Sequence, residues 1–229
     1  MNLRTLALTL AAAACFAATA TAQSTQAKIL PVSSSTSIRF IHAVPGAIAM
    51  NCRLNRYAVF KNVPYGSAKP SRRVRAGSYL LDLTTPYGVT NFIAPDPLDL
   101  WGGIDTTVVA VGSVGGSPPL ETTLVDIPRY RVPKHEAHLV FLHAVADAPP
   151  VDVLVDGAVV SPALPYKGYD PPHPVIRGVH TIEVQVGGNT ILGPTPMRLD
   201  GSRKHTFVVM GTADPNDGYP LILRRFVSE

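Results

Sequence analysis

Short runs of alternating apolar and polar residues recur along the chain, and they predict β-strands. The clearest run is Val151–Val155, in which three valines alternate and Asp152 lies on the opposite face, before an Asp-Gly turn. Ile38–Val44 and Leu139–Val145 are apolar on both faces, as a central strand of a sandwich can be. After the first 22 residues no long run has the helical period. The pattern therefore predicts an all-β fold.

The whole pattern is present twice. His42 and His143 are 101 positions apart, and Ile38 to Leu83 match the second copy at that spacing without a gap. Further on the spacing becomes 99, because the first copy has two extra residues near Pro86–Pro95. Each copy holds about seven or eight short strands in about 95 residues. We therefore predict two tandem antiparallel β-sandwiches of immunoglobulin type.

The predicted order begins with an export signal. Arg4 precedes an Ala-rich apolar run, and Ala20–Ala22 is a small-residue cleavage site, so residues 1–22 read as a signal peptide cleaved after Ala22. The run is shorter than the roughly 20 residues of a membrane span. A lipoprotein leader that uses Cys15 is the alternative. The remaining order is a flexible segment 23–36, repeat 1 at 37–127, a stiff exposed linker 128–136, and repeat 2 at 137–229.

Cleavage removes Cys15 and leaves Cys52 as the single cysteine, so we expect no internal disulfide. Cys52 matches Val153 of the second copy, which predicts a buried small side chain; a reactive thiol or a dimer bridge is the alternative. The mature protein is expected in the periplasm or outside the cell, without a transmembrane span.

Charge changes the picture in one place. The chain has a net charge of +4 and only 16% charged residues, which is far from a nucleic-acid arm, so no nucleic-acid partner is expected. The densest basic cluster consists of Lys69, Arg72, Arg73 and Arg75, in a region that is not basic in the second copy. It predicts contact with an anionic surface such as a glycan or, alternatively, an edge strand protected by charge.

Residues with chemical potential are few. His42 and His143 recur and have carboxylates nearby, but no compact metal-binding motif surrounds them, so we expect both rings to satisfy bends of the backbone. Asp147 is expected to accept backbone N–H groups in a turn. Asp152 is expected on the outward face of a strand, and its carboxylate is not required there because the first copy has Asn51 at this position. No catalytic, metal-binding or cofactor-binding residue is predicted.

Aromatic side chains are the remaining candidates for recognition. Tyr65, Tyr87 and Trp101 could form a stacking surface for sugars, while a core or inter-domain position for Trp101 is the alternative. The Gly-rich run Gly112–Gly116 and the acidic run Asp214–Gly218 read as loops, because no helix follows the first and the second lacks calcium-loop spacing.

The segment FLHAVADAPPVDVLVDG, followed by LPY and RGVHTIEV, resembles a family of secreted bacterial domains of unknown function that often occur in tandem. The resemblance covers most of the mature chain and implies the sandwich fold and export, but no activity. Val145-Ala146 depart from the usual Ser-Pro, and copy one has Gly46, Asn51 and Arg56 where Asp, Asp and Gly are characteristic. The matching residues of copy two are His143, Ala144, Asp147, Ala148, Pro149, Val151, Asp152, Val153, Val155, Asp156 and Gly157.

These observations predict an exported, non-catalytic module for binding, adhesion or envelope structure, with an envelope glycan or another exported protein as partner. A metal-dependent or hydrolytic enzyme using His42, His143 and nearby carboxylates is one alternative. An accessory subunit of a secreted complex, recruited by strand pairing at a sheet edge, is another.

Overall fold

The computed structural model describes residues 35–113, 115–214 and 216–228, and these form strands and no helix. Consequently no helix in the described ranges has the length and hydropathy of a membrane span. The predicted signal peptide, Cys15 and residues 23–34 lie outside the described residues. The first strand begins at Ser35, two residues before the predicted start of repeat 1.

Repeat 1 contains eleven described strands. They are β1 (Ser35–His42), β2 (Met50–Leu54), β3 (Tyr57–Val63), β4 (Ser67–Ala68), β5 (Arg72–Arg75), β6 (Gly77–Tyr79), β7 (Leu81–Thr84), β8 (Thr90–Ile93), β9 (Leu98–Leu100), β10 (Ile104–Val111) and β11 (Glu121–Pro128).

Repeat 2 contains eight described strands, with longer outer strands in place of the broken ones of repeat 1. They are β12 (Glu136–His143), β13 (Val151–Val155), β14 (Ala158–Leu164), β15 (His173–Ile176), β16 (Gly178–Val186), β17 (Asn189–Leu199), β18 (Arg203–Met210) and β19 (Ile222–Ser228).

Each repeat is a β-sandwich of two main sheets, as predicted. The inner sheet of repeat 1 has the order β11-β10-β1, with β4 and β5 both pairing with the free edge of β1. The inner sheet of repeat 2 has the order β15-β12-β18-β19. The outer sheets are β3-β2-β7-β8 and β14-β13-β16-β17. One pair in each inner sheet is parallel, β1 with β10 and β12 with β18, because the chain crosses to the outer sheet between them.

The hairpin turns of the outer sheets form as their residues predict. Asn55 and Arg56 have φ of 49° and 69°, and Asp156 and Gly157 have 51° and 80°. Two consecutive positive φ values characterise the tight turn whose twist matches that of antiparallel strands. Asn55 thus replaces Asp156 without loss of the turn.

The inner strands are apolar on both faces because each face packs against a different hydrophobic core. In β1, Ile38 and Phe40 face the core inside repeat 1, whereas Ile41 belongs to a third hydrophobic core. In β18, Phe207 faces the core of repeat 2 and Val208 the third core. Alternate residues of a strand point to opposite faces, so each inner sheet is covered on both sides.

The third core lies between the two repeats, and we call it the seam. Both inner sheets contribute fully buried side chains to it, so the repeats form one compact unit of four β-layers. Eight of the eleven contributing side chains form four pairs at equivalent positions of the two copies, and Val125, Ile127 and Val140 have no equivalent among the buried residues of the seam. The contributing side chains are Ile41, Ala43, Val109, Val111, Val125, Ile127, Val140, Leu142, Ala144, Val208 and Met210.

Candidate functional site

Both repeated histidines are held by their own bends. The Nε2 atom of His42 lies 3.1 Å from the carbonyl oxygen of Ile48, and its Nδ1 accepts the N–H of Val44 at 3.2 Å. His143 makes the same two contacts, 3.1 Å to the Pro149 carbonyl and 3.3 Å from the Val145 N–H. This pattern assigns a neutral ring with its proton on Nε2.

The surroundings of these rings favour the neutral form. Both histidines are fully buried, and burial lowers the pKa of each below its ordinary value against the opposing effect of the carbonyl hydrogen bond. Both nitrogens are occupied, so a metal ion at either ring would have to break a backbone hydrogen bond. Among the described residues no group of three or more His, Cys, Asp or Glu side chains is placed to hold a metal ion.

The recurring Asn or Asp position also has a local task. Asp152 accepts the N–H of Ala163 at 2.7 Å, and Asn51 accepts the N–H of Asn62 at 2.8 Å. Ala163 has a φ of 47° where the strand pairing shifts register, so a side-chain oxygen supplies the partner that the ladder lacks. The oxygen can be amide or carboxylate, which explains why copy one needs no Asp here.

Asp147 and Cys52 each have a structural role, and the two roles differ. Asp147 Oδ2 accepts the N–H groups of Ala213 at 2.9 Å and Asp214 at 3.4 Å, joining two loops of repeat 2. Cys52 is fully buried in the core of repeat 1, and burial, followed by the nearby charge of Asp82, raises the pKa of its thiol. The prediction of a buried small side chain at Cys52 is confirmed.

The three candidate aromatics have different environments. Trp101 is 65% exposed in the turn after β9, which excludes the core position. Tyr87 is also exposed, in the turn between β7 and β8. Tyr65 instead packs against the seam, edge-on to His42 and to Tyr219. Tyr65 therefore cannot share an exposed stacking surface with Trp101.

The predicted basic cluster is divided by the fold. Arg72 to Arg75 form β5, an edge strand paired antiparallel with β1. Lys69 and Arg73 line a cleft of about 1010 Å³, which we call the basic cleft. Arg72, together with Lys69, lines a separate hollow beside β3. Arg75 lines neither of them.

The basic cleft has walls from both repeats. Repeat 1 contributes β1, β10 and the segment before β5, and repeat 2 contributes the start of β18 and the end of β19. Among the described residues of its lining, basic side chains outnumber carboxylates. The basic residues are Arg39, Lys69, Arg73, Arg129, Arg203 and Arg225, and the acidic ones are Asp105 and Asp200.

Arg39 lies deepest among these cations. It belongs to β1, is only 7% exposed, and its Nε atom has no hydrogen-bond partner among the described residues. Burial lowers the pKa of Arg39, and the charge of Asp105 opposes that change. The equivalent position in repeat 2 is Val140, a fully buried seam residue.

Asp105 is already engaged by two other cations. Its Oδ1 accepts a hydrogen bond from Arg129 Nε at 3.1 Å, and its Oδ2 accepts one from Lys204 Nζ at 3.2 Å. Lys204 is 3% exposed, donates also to the Pro128 carbonyl, and lies 4.4 Å from the centroid of the Tyr130 ring. Among the described residues, Arg39, Arg129 and Lys204 thus lie around the carboxylate of Asp105, and Arg39 and Arg129 also line the cleft.

Two cations near Asp105 were not predicted from the sequence. Arg39 and Lys204 stand inside strand patterns that are otherwise apolar, and each looks like an isolated charge. A comparison of the two copies indicates both residues, because Arg39 aligns with Val140 and Lys204 aligns with Asp105. Only the packing of the repeats shows that Lys204 and Asp105 meet.

A family model described as a domain of unknown function, DUF4397, matches the chain twice, at residues 36–144 and 137–224. Each match covers one sandwich, the first continues through β12 of repeat 2, and together they cover most of the chain. No protein among the curated sequences matches it.

Proposed function

The chain belongs to the DUF4397 family of domains of unknown function, in two tandem copies, and from this premise we propose that it is an exported, non-catalytic binding module. We infer that it holds an anionic ligand in the basic cleft between its repeats. The observation that carries the proposal is the excess of basic side chains along a cleft to which both repeats contribute.

The charge of the cleft and its arginine content both support an anionic ligand. A cleft lined by one sign of charge focuses the electrostatic potential and attracts ligands of the opposite sign. Five of the six basic side chains are arginines, whose planar guanidinium groups bind carboxylate and phosphate in a bidentate manner. The lining of the cleft includes residues of β5 in repeat 1 and of β19 in repeat 2, so a ligand that fills it would contact both repeats.

The expected location of the protein limits which anionic polymers are available to it. The predicted signal peptide at residues 1–22 supports export to the periplasm or beyond, where the protein would meet the glycans of the cell envelope. We therefore propose an envelope glycan that carries acidic groups as the partner. Exposed Trp101 and Tyr87 offer separate apolar contacts outside the cleft.

The test uses the mature protein, residues 23–229, in a co-sedimentation assay with acidic and neutral envelope polysaccharides. We expect binding to the acidic polymers that weakens as salt rises, since exposed charge pairs are screened. A variant with Lys69→Met and Arg73→Met should lose most of this binding. The matched control carries Arg72→Met and Arg75→Met, which removes the same charge outside the cleft, and it should bind nearly as wild type.

Equal losses in the two variants would show a diffuse charge effect and would contradict a site in the cleft. Turnover of a polysaccharide by the purified protein would contradict the non-catalytic proposal in favour of the enzyme alternative.

One observation favours the accessory-subunit alternative. Strand β8 lies at the edge of the outer sheet of repeat 1 and has no charged residue, and its Ile93 is 57% exposed. Such an edge can accept a strand from another protein. Replacing Ile93 by Lys should abolish capture of an exported protein partner if this edge is the contact, and should leave glycan binding unchanged.

A further inference from the structure

We propose that the inner end of the basic cleft is a subsite for one tetrahedral oxyanion, a phosphate or sulfate group, bound by the guanidinium of Arg39. The inference rests on the proposed function and names the chemistry of the group that the cleft recognises. The acidic groups of the ligand would then be phosphate or sulfate esters, and one of them would reach this inner end.

The first argument is the unbalanced charge of Arg39. Its side chain is more than nine-tenths buried, and no carboxylate among the described residues forms a direct ion pair with it. Asp105 is the nearest acidic group that affects it, but Arg129 and Lys204 already occupy both of its oxygens. A buried cation without a partner is costly, so an anion that enters the cleft gains a strong interaction there.

The second argument is that the fold does not require a charge at this position. Val140 occupies the equivalent place in β12 and packs fully buried in the seam. The backbone frame of the inner sheet therefore accommodates an apolar side chain at this point. Since a well-packed apolar residue is usually at least as stabilising as a buried charge, Arg39 has no structural advantage over valine here.

The third argument concerns the neighbouring donors. The hydroxyl-bearing residues Ser37 and Thr107 line the same cleft and flank Arg39 in the sheet, because Arg39 is the register partner of Thr107. Arg129 lines it as well. A planar guanidinium with hydroxyl donors beside it suits the several acceptor oxygens of a tetrahedral anion better than a single point charge would.

The experiment titrates inorganic phosphate, sulfate and acetate into the mature protein at constant ionic strength, followed by calorimetry and by the midpoint of thermal unfolding. We expect phosphate, sulfate or both to bind and to raise the Tm, since a ligand that binds only the folded state stabilises it. Acetate should have little effect. The relative affinities for phosphate and sulfate identify which ester the subsite prefers.

Arg39→Met is the decisive variant, and Arg75→Met is its control with the same change of charge outside the cleft. Arg39→Met should weaken phosphate or sulfate binding by at least about tenfold, the effect of losing a charge-assisted hydrogen bond. Without ligand its Tm should equal or exceed that of the wild type. Arg75→Met should bind as the wild type does.

Unchanged oxyanion binding in Arg39→Met would overturn the subsite, as would a lowered Tm together with wild-type affinity, which would make Arg39 purely structural. If Arg39→Met fails to fold, Arg39→Lys takes its place, since it keeps the charge but loses the planar fork and should still weaken binding severalfold. Wild-type protein that binds an acidic polymer in the cleft but no phosphate or sulfate would overturn this inference alone. Oxyanion binding that depends on Arg39, without polymer binding, would overturn the proposed function alone.

Discussion

Repeat 1 and repeat 2 share the residues that hold their bends and turns, but they differ in the charged residues around the basic cleft. Both have the histidine that holds a bend, the oxygen that caps a strand irregularity, and the hairpin turn with two positive φ values. These shared features satisfy backbone groups, which every copy of the fold must do. Sequence similarity between the copies therefore marks folding elements.

The differences in charge are clearest around Asp105 and in β5. Arg39 of repeat 1 corresponds to Val140 of repeat 2, and Asp105 corresponds to Lys204. The basic strand β5 corresponds to β15, which has no arginine or lysine. The two repeats thus share one backbone fold but differ in charge, and the cleft is formed by residues of both repeats together.

The largest expected effect comes from transferring the difference to the wrong repeat. Val140→Arg would place an unpartnered cation among apolar seam residues, and the free energy of unfolding should fall by about 3–5 kcal/mol. Urea unfolding measures the loss. Val159→Arg makes the same change on a residue that is 55% exposed, and it should cost less than about 0.5 kcal/mol. Equal costs would mean that the seam is not tightly packed.

The second prediction tests the equivalence of the shared histidines. His42→Ala and His143→Ala each remove two hydrogen bonds and leave a buried N–H and a carbonyl group without a partner. Each should lower the free energy of unfolding by about 2–4 kcal/mol, by similar amounts in the two repeats. The control is His173→Ala, on an exposed residue of β15, which should have little effect. A stable His143→Ala protein would contradict the structural role.

The smallest effect separates charge from hydrogen bonding at the shared oxygen. Asp152→Asn should leave stability nearly unchanged, because Asn51 performs the same task in repeat 1. Asp152→Ala removes the acceptor of the Ala163 N–H and should cost about 1 kcal/mol, as should Asn51→Ala. Thermal unfolding of the four proteins, wild type included, measures the series. A large loss in Asp152→Asn would show that the carboxylate charge matters.

Local signals account for what was predictable of the fold. Strand β13 has the predicted bounds Val151–Val155, since alternation with period two and an Asp-Gly turn are properties of neighbouring residues. The predicted strand Ile38–Val44 begins three residues after the start of β1 at Ser35, because Ser35 and Thr36 are polar and the buried position of Thr36 depends on its hydrogen bond to the Ile104 carbonyl.

Of the candidate site, the sequence indicated the outer part only. Lys69 and Arg73 were visible as a local cluster and do line the cleft, whereas Arg72 and Arg75 of the same cluster do not. Arg72 and Arg73 are neighbours in β5 and point to opposite faces, whereas Arg75 shares the face of Arg73 but lies further along the strand, opposite Ser35.

The sequence by itself determined the duplication, the all-β character and the turns, because each depends on residue types at short spacing or on direct comparison of the copies. The tertiary structure decided what covers the second apolar face of the inner strands. It also brought Asp105 within 3.2 Å of Lys204, 99 residues further along the chain. The physical reason is that alternation tells which residues are buried but not against what, and only the packing of one inner sheet on the other places both repeats around one cleft.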